Sequence, residues 1–91
     1  MSNFVLREGV VYRKEADGAL IYNHATGNVT PLNATAAYLC ESLFIERQDR
    51  ETVLAGIKEQ WNVQDEDRVR SDIDRFITGM KRLGLIEETG A

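Results

Sequence analysis

The order of apolar and polar positions along the chain predicts strands in its first third and helices in the remainder. Three short stretches are rich in β-branched and aromatic side chains, as is typical of strands: residues 10–13, 19–22 and 28–32. Asp17-Gly18 is a favourable hairpin turn between the first two stretches, and residues 24–27 form a second turn. We therefore expect a three-stranded antiparallel meander.

Pro31 indicates that the third predicted strand lies at an edge of this sheet. Proline has no N–H and cannot donate to a central ladder, so its missing donor should face outward. Because successive strand residues alternate in direction, the backbone groups of Val29, two residues earlier, should face outward as well. The strand would then offer the N–H and C=O of Val29 and the C=O of Pro31 to solvent or to a partner. The alternative is that Pro31 merely ends the strand before the first helix, and the sequence leaves both possibilities open.

Helical periodicity from residue 33 onward predicts three helices. Asn33 and Asp49 are suitable N-caps for the first two, the acidic residues 65–67 suit the N-terminal dipole of the third, and Gly84 ends it. Gly56 lies inside the second helix at a cost of about 1 kcal/mol relative to Ala, and close approach of a neighbouring helix is one possible reason. Each helix has an apolar stripe: Ala36, Leu39, Cys40 and Leu43; Val53, Leu54, Ile57 and Trp61; Val69, Ile73, Phe76, Ile77, Met80 and Leu83.

These elements predict one α+β domain over residues 1–91, with a winged helix-turn-helix-like arrangement in which three helices cover one face of the three-stranded antiparallel sheet. We expect the core to span about residues 9–86, with Leu85 and Ile86 packed back on it. The termini should be short and mobile, including a tail at residues 87–91.

Composition narrows the possible functions. A chain of 91 residues with 43% hydrophobic and 29% charged positions is typical of one folded domain. Its net charge of -4 disfavours nucleic-acid binding, which needs a basic surface. The sequence has no apolar run of membrane-spanning length and no signal-peptide pattern at its start, so we expect a cytoplasmic protein without membrane association.

The side chains that could act in catalysis or bind a metal do not form a recognisable catalytic set. Cys40 is the single cysteine and lies on the apolar face of the first helix, and His24 falls in a predicted surface turn. The acidic residues 65–67 would suit a divalent cation, but their place at a helix start explains them more simply. The sequence also lacks a phosphate-binding loop and metal-ligand spacing. We expect no catalytic residue, no metal site and no cofactor.

Several segments, taken in order, resemble the PqqD-like family. Residues 32–39, LNATAAYL, look like the Leu-Asn-x-Thr-Ala signature that opens the first helix of that family. Where the family commonly has an Asp-Gly turn between its first two helices, residues 44–49 differ, which bears more on its cofactor-pathway branch than on the fold. The similarity extends through further segments, so that it covers nearly the whole chain: residues 18–32, 51–54, 61–63, 69–77 and 83–86.

The resemblance implies a recognition element for precursor peptides. Such domains bind the leader segment of a ribosomally made peptide as an extra strand on their third strand, in a groove walled by the third helix. They present the rest of the peptide to a modifying enzyme, such as a radical S-adenosylmethionine protein, a cyclase or a protease. An edge strand followed by an apolar helix is also what strand addition requires.

The predicted peptide-binding residues are Asn28, Val29, Thr30 and Pro31 on the strand, and Val69, Arg70, Ile73 and Ile77 on the third helix. Val69, Ile73 and Ile77 are equally compatible with ordinary core burial, and we expect Phe76, Met80 and Leu83 to be more central to the core. Arg70 lies at the rim of the predicted groove, and Glu66 is placed to pair with it at i,i+4 spacing.

Two other functions remain as alternatives. A winged helix could bind DNA, but residues 65–74 hold five acidic residues against two arginines, which disfavours a recognition helix. A structural module could form a homodimer by strand exchange at the open edge, and such pairing would compete with a peptide for the same strand.

Overall fold

In the computed structural model, which describes residues 3–89, the chain forms two antiparallel sheets and three α-helices. The elements in chain order are β1 Asn3–Leu6, β2 Val10–Glu15, β3 Gly18–Asn23, β4 Val29–Asn33, α1 Ala34–Cys40, α2 Arg50–Gln60, α3 Glu66–Arg82 and β5 Ile86–Thr89. A π-helical segment, Glu41–Ile45, continues directly from α1. The predicted α+β class, a three-stranded antiparallel sheet followed by three helices, is confirmed.

The larger sheet has the order β2–β3–β4, so β3 is central and both β2 and β4 are edges. Its inner face follows the two-residue alternation of strands, with Tyr12, Ile21 and Thr30 in one row across the three strands. Ile21 is completely buried and joins the core formed by the helices. The sheet is therefore attached to the helical layer through every second residue of its central strand.

The chain ends form a second sheet that the sequence analysis did not predict. β1 pairs antiparallel with β5, from Asn3 opposite Thr89 to Leu6 opposite Ile86. Phe4 and Leu6 pack against the core, and the Lys81 ammonium lies 5.3 Å from the centre of the Phe4 ring. The predicted core limits of 9–86 are thus too narrow. The strand occupies part of the predicted mobile tail, and the rest of that tail, residues 90–91, lies outside the described residues.

The predicted helix starts are confirmed by the geometry of their caps. The side-chain oxygen of Asn33 accepts a hydrogen bond from the Ala36 N–H at 2.8 Å, and that of Asp49 accepts from the Thr52 N–H at 2.8 Å. Asp65 caps α3 in the same way. The first helix becomes π-helical where the sequence predicted a regular stripe, and this wider segment buries Leu43 and Phe44 together.

The core contains most of the predicted apolar stripes, with one clear exception. Ile73, Ile77 and Met80 are buried on α3, and Phe76 stacks on Phe44 with ring centres 5.8 Å apart. Leu83, which was expected in the core, is 60% exposed. It follows Ile73 by ten residues, which at 100° per residue places it about 80° away around the helix, at the margin of the buried stripe. The prediction for Leu83 is therefore wrong.

The close approach suggested for Gly56 is present in the fold. A β-carbon at Gly56 would overlap the hydroxyl oxygen of Tyr38, a residue of α1. The Tyr38 ring is held in place by an edge-to-face contact with Trp61, with ring centres 5.4 Å apart. Gly56 thus leaves room for the tyrosine between α1 and α2.

We predict that replacing Gly56 by Ala is more favourable when Tyr38 is replaced by Phe. Alanine gains about 1 kcal/mol of helix propensity in either background, but only the wild-type protein has a hydroxyl in its way. After the hydroxyl is removed, the nearest tyrosine-ring carbon lies 3.1 Å from the added β-carbon, which a small shift accommodates. Urea denaturation of the four variants should show a coupling of about 1 kcal/mol.

Gly79→Ala in α3 is the matched control, since a β-carbon there meets nothing within 4 Å. This change should stabilise the protein by about 1 kcal/mol, independently of Tyr38. Equal effects of Gly56→Ala in the two tyrosine backgrounds would contradict the steric explanation.

Candidate functional site

The outward side of β4 carries unpaired backbone groups. Tyr22 lies opposite Val29, and the adjoining hydrogen bond runs from the Asn23 N–H to the Asn28 carbonyl at 3.0 Å. In an antiparallel ladder this bond identifies Tyr22 and Val29 as a pair whose own backbone groups do not bond to each other. The N–H and C=O of Val29 therefore point away from β3, and so does the C=O of Pro31 two residues later.

The position of Pro31 follows from this alternation. Its lack of an N–H costs nothing on the outward side, while Thr30 and Leu32 supply the ladder with β3. Because β4 continues to Asn33, the alternative in which Pro31 ends the strand is wrong. Gly18 allows the strands to approach closely at this end, since a β-carbon there would overlap the Leu32 carbonyl oxygen.

The side chains of β4 are divided between the two faces of the sheet. Thr30 and Leu32 are partly buried on the inner face, and Leu32 contacts the core. Val29 and Pro31 are exposed on the outer face. Asn28 precedes the strand, and its N–H is taken by the Thr26 hydroxyl at 3.2 Å. The four predicted strand residues thus lie together along one edge, with Val29 and Pro31 contributing its free backbone groups.

The four predicted helix residues do not form a matching open wall. Ile73 and Ile77 are 1% and 5% exposed and belong to the core, while Val69 is partly buried against it. For Ile73 and Ile77, core burial is the alternative that the structure shows. α3 packs on α1, α2 and β5, whereas β4 packs on β3 and α1, so the two elements have no extensive contact with each other.

Arg70 is exposed, but it is held by acidic neighbours. Its guanidinium contacts both carboxylate oxygens of Glu51, at 2.9 and 3.3 Å, and Asp67 lies 3.6 Å away. The predicted pairing with Glu66 is wrong, since the Glu66 carboxylate is bound by Lys58 of α2. The hydrogen bond from Arg70 lowers the pKa of Glu51, and the same bond raises the pKa of Arg70. A peptide carboxylate would have to displace Glu51 to reach this arginine.

The sequence analysis did not consider the outer face of the sheet, which borders the outward side of β4. Val11, Tyr22 and Val29 form one row across β2, β3 and β4, and they are 47%, 38% and 54% exposed. The next row contains Leu20 beside Pro31. The strand alternation of residues 19–22 was the available signal, because it places every second side chain on the face opposite the core.

Two clefts lie elsewhere on the surface. One, of about 500 Å³, is lined by residues of β1, the π-helical segment and the start of α2, and Ile77 is the predicted site residue among them. The other, of about 410 Å³, includes Tyr12, Tyr38 and Trp61. There the Tyr12 hydroxyl donates to Glu41 at 3.2 Å, and burial together with this bond raises the pKa of Tyr12 to about 12.

The reactive side chains are not arranged for catalysis. Burial raises the pKa of the Cys40 thiol to about 12, which keeps it protonated at neutral pH. His24 is exposed, with its ring 4.6 Å from that of Tyr22. Between residues 3 and 89 no three His, Cys, Asp or Glu side chains come together in a way that could hold a metal ion. Over the same range, no helix is both long and apolar enough to cross a membrane.

We predict that Arg70→Gln raises the pKa of Glu51 toward the ordinary glutamate value, because the hydrogen bond that favours its charged form is lost. In the wild-type protein this carboxylate should stay ionised to lower pH, and the stabilisation from the pair should be lost as the pH falls through the lowered pKa. NMR titration of the side-chain carboxyl carbons measures the pKa of Glu51 in the wild-type protein and in the variant. Lys58→Gln is the control: it should raise the pKa of Glu66 and leave Glu51 largely unchanged. An unchanged pKa of Glu51 in the Arg70→Gln variant would show that the Arg70–Glu51 pair does not persist in solution.

Comparison with known proteins agrees with this architecture. The family model described as Coenzyme PQQ synthesis protein D (PqqD) matches residues 18–86. The solved structure of TbiB1 in complex with the TbiA(beta) leader peptide has a TM-score of 0.83 and 21% sequence identity, covering 96% of this chain and 99% of that chain. Lasso peptide synthetase B1 complexed with the leader peptide has a TM-score of 0.83 and 20% identity, covering 93% and 98% respectively.

The curated proteins contain no significant match. The two structural matches confirm the predicted winged helix-turn-helix-like fold. The matched family is a non-catalytic, peptide-binding one, which confirms the prediction that the protein is not an enzyme. The chain belongs to the PqqD family.

Proposed function

We propose that this chain binds the leader segment of a ribosomally synthesised precursor peptide by adding it as a strand to β4. The observation that carries the proposal is the outward-facing side of β4, where Val29 offers a donor and an acceptor and Pro31 a second acceptor. Membership of the PqqD family supports it, and both structural matches are described as complexes with leader peptides.

Backbone pairing alone does not explain useful affinity. A net gain of about 0.5–1.5 kcal/mol per hydrogen bond gives about 1.5–4.5 kcal/mol for three bonds. Micromolar binding requires about 8 kcal/mol, so side-chain contacts must supply the larger part. The apolar side chains beside this edge are exposed Val29 on the outer face and partly buried Leu32 on the inner face.

The second part of the proposal is delivery of the bound peptide to a separate modifying enzyme. Cys40 is buried as a neutral thiol, and the described residues hold no candidate metal cluster. A domain of this kind contributes by holding the leader while another protein acts on the rest of the peptide. A radical S-adenosylmethionine protein, a cyclase or a protease would fill that role.

The alternatives make different demands on the surface. DNA binding by α3 would bring the exposed Glu66, Asp67, Asp72 and Asp74 toward phosphates, which is electrostatically unfavourable. A homodimer through β4 would use the same edge as the peptide. The edge of β2 is also open to strand addition, because alternation turns the backbone groups of Tyr12 and Lys14 away from β3.

We predict that Val29→Pro weakens leader binding by about tenfold. This change deletes the one outward donor between residues 29 and 31, while the ladder bonds of Thr30 to β3 remain. The measurement is an amide NMR titration of the isotope-labelled domain with synthetic peptides covering the short open reading frames beside its gene. Wild-type shifts should concentrate at residues 28–32.

Lys14→Pro is the matched control, since it deletes an outward N–H from the opposite edge of the same sheet. It should leave the affinity unchanged. Shifts centred on β2, with Lys14→Pro as the damaging change, would contradict addition at β4. Light scattering after size-exclusion chromatography and a gel shift at low salt test the homodimer and DNA alternatives on the same samples.

A further inference from the structure

The apolar side chains on the outer face of the sheet are arranged in rows that end at the β4 edge. The first row is Val11, Tyr22 and Val29, and the second contains Leu20 and Pro31 next to Arg13 of β2. All lie on the face of the sheet that points away from the helices. Arg13 lies on β2, at the far end of its row from β4, and is paired there with Glu15 at 3.4 Å.

We propose that this outer face, together with the unequal hydrogen-bonding groups of Val29 and Pro31, selects leader segments by an alternating rule. The leader pairs antiparallel with β4. Two of its residues, separated by one, each donate an N–H to the protein and place apolar side chains on the outer face. The residue between them makes no backbone bond to β4. The inference rests on the proposed function and specifies which peptides the edge accepts.

The backbone part of the rule follows from the edge itself. Val29 both donates and accepts, so the leader residue opposite it needs a free N–H and C=O. Pro31 only accepts, so the residue opposite it needs a free N–H while its C=O receives no donor from the protein. The intervening leader residue directs its N–H away from β4. Proline or an N-methylated residue is therefore tolerated there and disfavoured at both neighbours.

The side-chain part follows from the register of antiparallel strands, in which residues directly opposite each other lie on the same face. The leader residue opposite Val29 extends the row that begins at Val11, and the residue opposite Pro31 extends the row that contains Leu20. Both positions favour apolar or aromatic side chains. The intervening leader residue faces the inner side, next to Thr30 and Leu32.

Burial favours the outer face over the inner one. On the inner side, Ile73 and Ile77 are already in the core, and a peptide could contact them only after the core opened. On the outer side, Tyr22 and Val29 are 38% and 54% exposed without any rearrangement. Covering them beside an added strand supplies apolar burial that the backbone bonds alone do not.

The test uses a random twelve-residue peptide library displayed on its encoding mRNA, selected on the wild-type domain and counter-selected on Val29→Pro. Enriched peptides are synthesised with a single N-methyl group at each position in turn. Methylation should weaken binding by about tenfold at two positions separated by one, and by less than about twofold at the position between them.

Two isosteric variants test the side-chain part. Val29→Thr should weaken the enriched peptides by about three- to tenfold, because a hydroxyl replaces a methyl group in the contact. Val11→Thr is the comparison variant, since it makes the same change at the far end of the same row, about 10 Å from β4. Because it lies farther from the added strand than Val29, it should weaken binding by less than about twofold. Alanine at the N-methyl-sensitive peptide positions should abolish the effect of Val29→Thr.

The outcomes separate this rule from the proposed function. Peptides that bind at β4 but show equal sensitivity to N-methylation at consecutive positions, or equal effects of the two threonine variants, would overturn the rule and leave strand addition standing. The rule would also be overturned if alanine at the intervening peptide residue, and not at the N-methyl-sensitive positions, abolished the effect of Val29→Thr. That result is the pattern of a parallel strand. Failure to enrich any peptide that depends on Val29 would instead overturn the proposed function.

Discussion

The register between β3 and β4 decides which backbone groups of this protein are free to bind a partner. Pairing Tyr22 with Val29 and Leu20 with Pro31 turns the nitrogen of Pro31 outward, where no ladder bond is required. A shift by one residue would ask Pro31 for a hydrogen bond that it cannot donate, and it would turn Leu32 away from the core. The proline therefore favours this register over the registers that are shifted by one residue. Between residues 29 and 31, the same register leaves Val29 as the one outward donor.

The helices support this edge by forming a core, and that use of their apolar residues limits what else they can do. Burying a side chain such as Ile73 stabilises a fold by about 1.5–3 kcal/mol, which is comparable to the whole backbone contribution expected from an added strand. A peptide that drew Ile73 or Ile77 out of the core would lose as much as it gained. Arg70 is limited in a similar way, because Glu51 already occupies its guanidinium. An added strand would therefore disturb the fold less at β4 and on the exposed sheet face beside it.

Local signals in the sequence were sufficient to predict the features that depend on neighbouring residues. They did not predict the features that depend on contacts between distant parts of the chain. Asn33 caps α1 through an atom three residues away, and the edge position of Pro31 follows from the chemistry of one residue. The β1–β5 sheet joins the two ends of the chain, from Asn3 with Thr89 to Leu6 with Ile86, and neither strand has a long apolar run. The periodicity of α3 placed Ile73 on an apolar face but could not distinguish a core from an open groove. Arg70 illustrates the same limit, since its partner comes from another helix.

An open edge strand is also a hazard, because it can pair with a second copy of itself as readily as with a peptide. Pro31 changes that balance. In an antiparallel pair of two β4 strands, both copies contribute an edge that lacks one donor, so every proline leaves a carbonyl on the opposite strand without a bond. When a leader peptide pairs with β4, the missing N–H of Pro31 is the only one in the ladder, since a peptide strand without proline keeps all its N–H donors. The two exposed valines at the ends of the first row, Val11 and Val29, would still gain from being covered. The edge is thus better matched to a foreign strand than to its own copy.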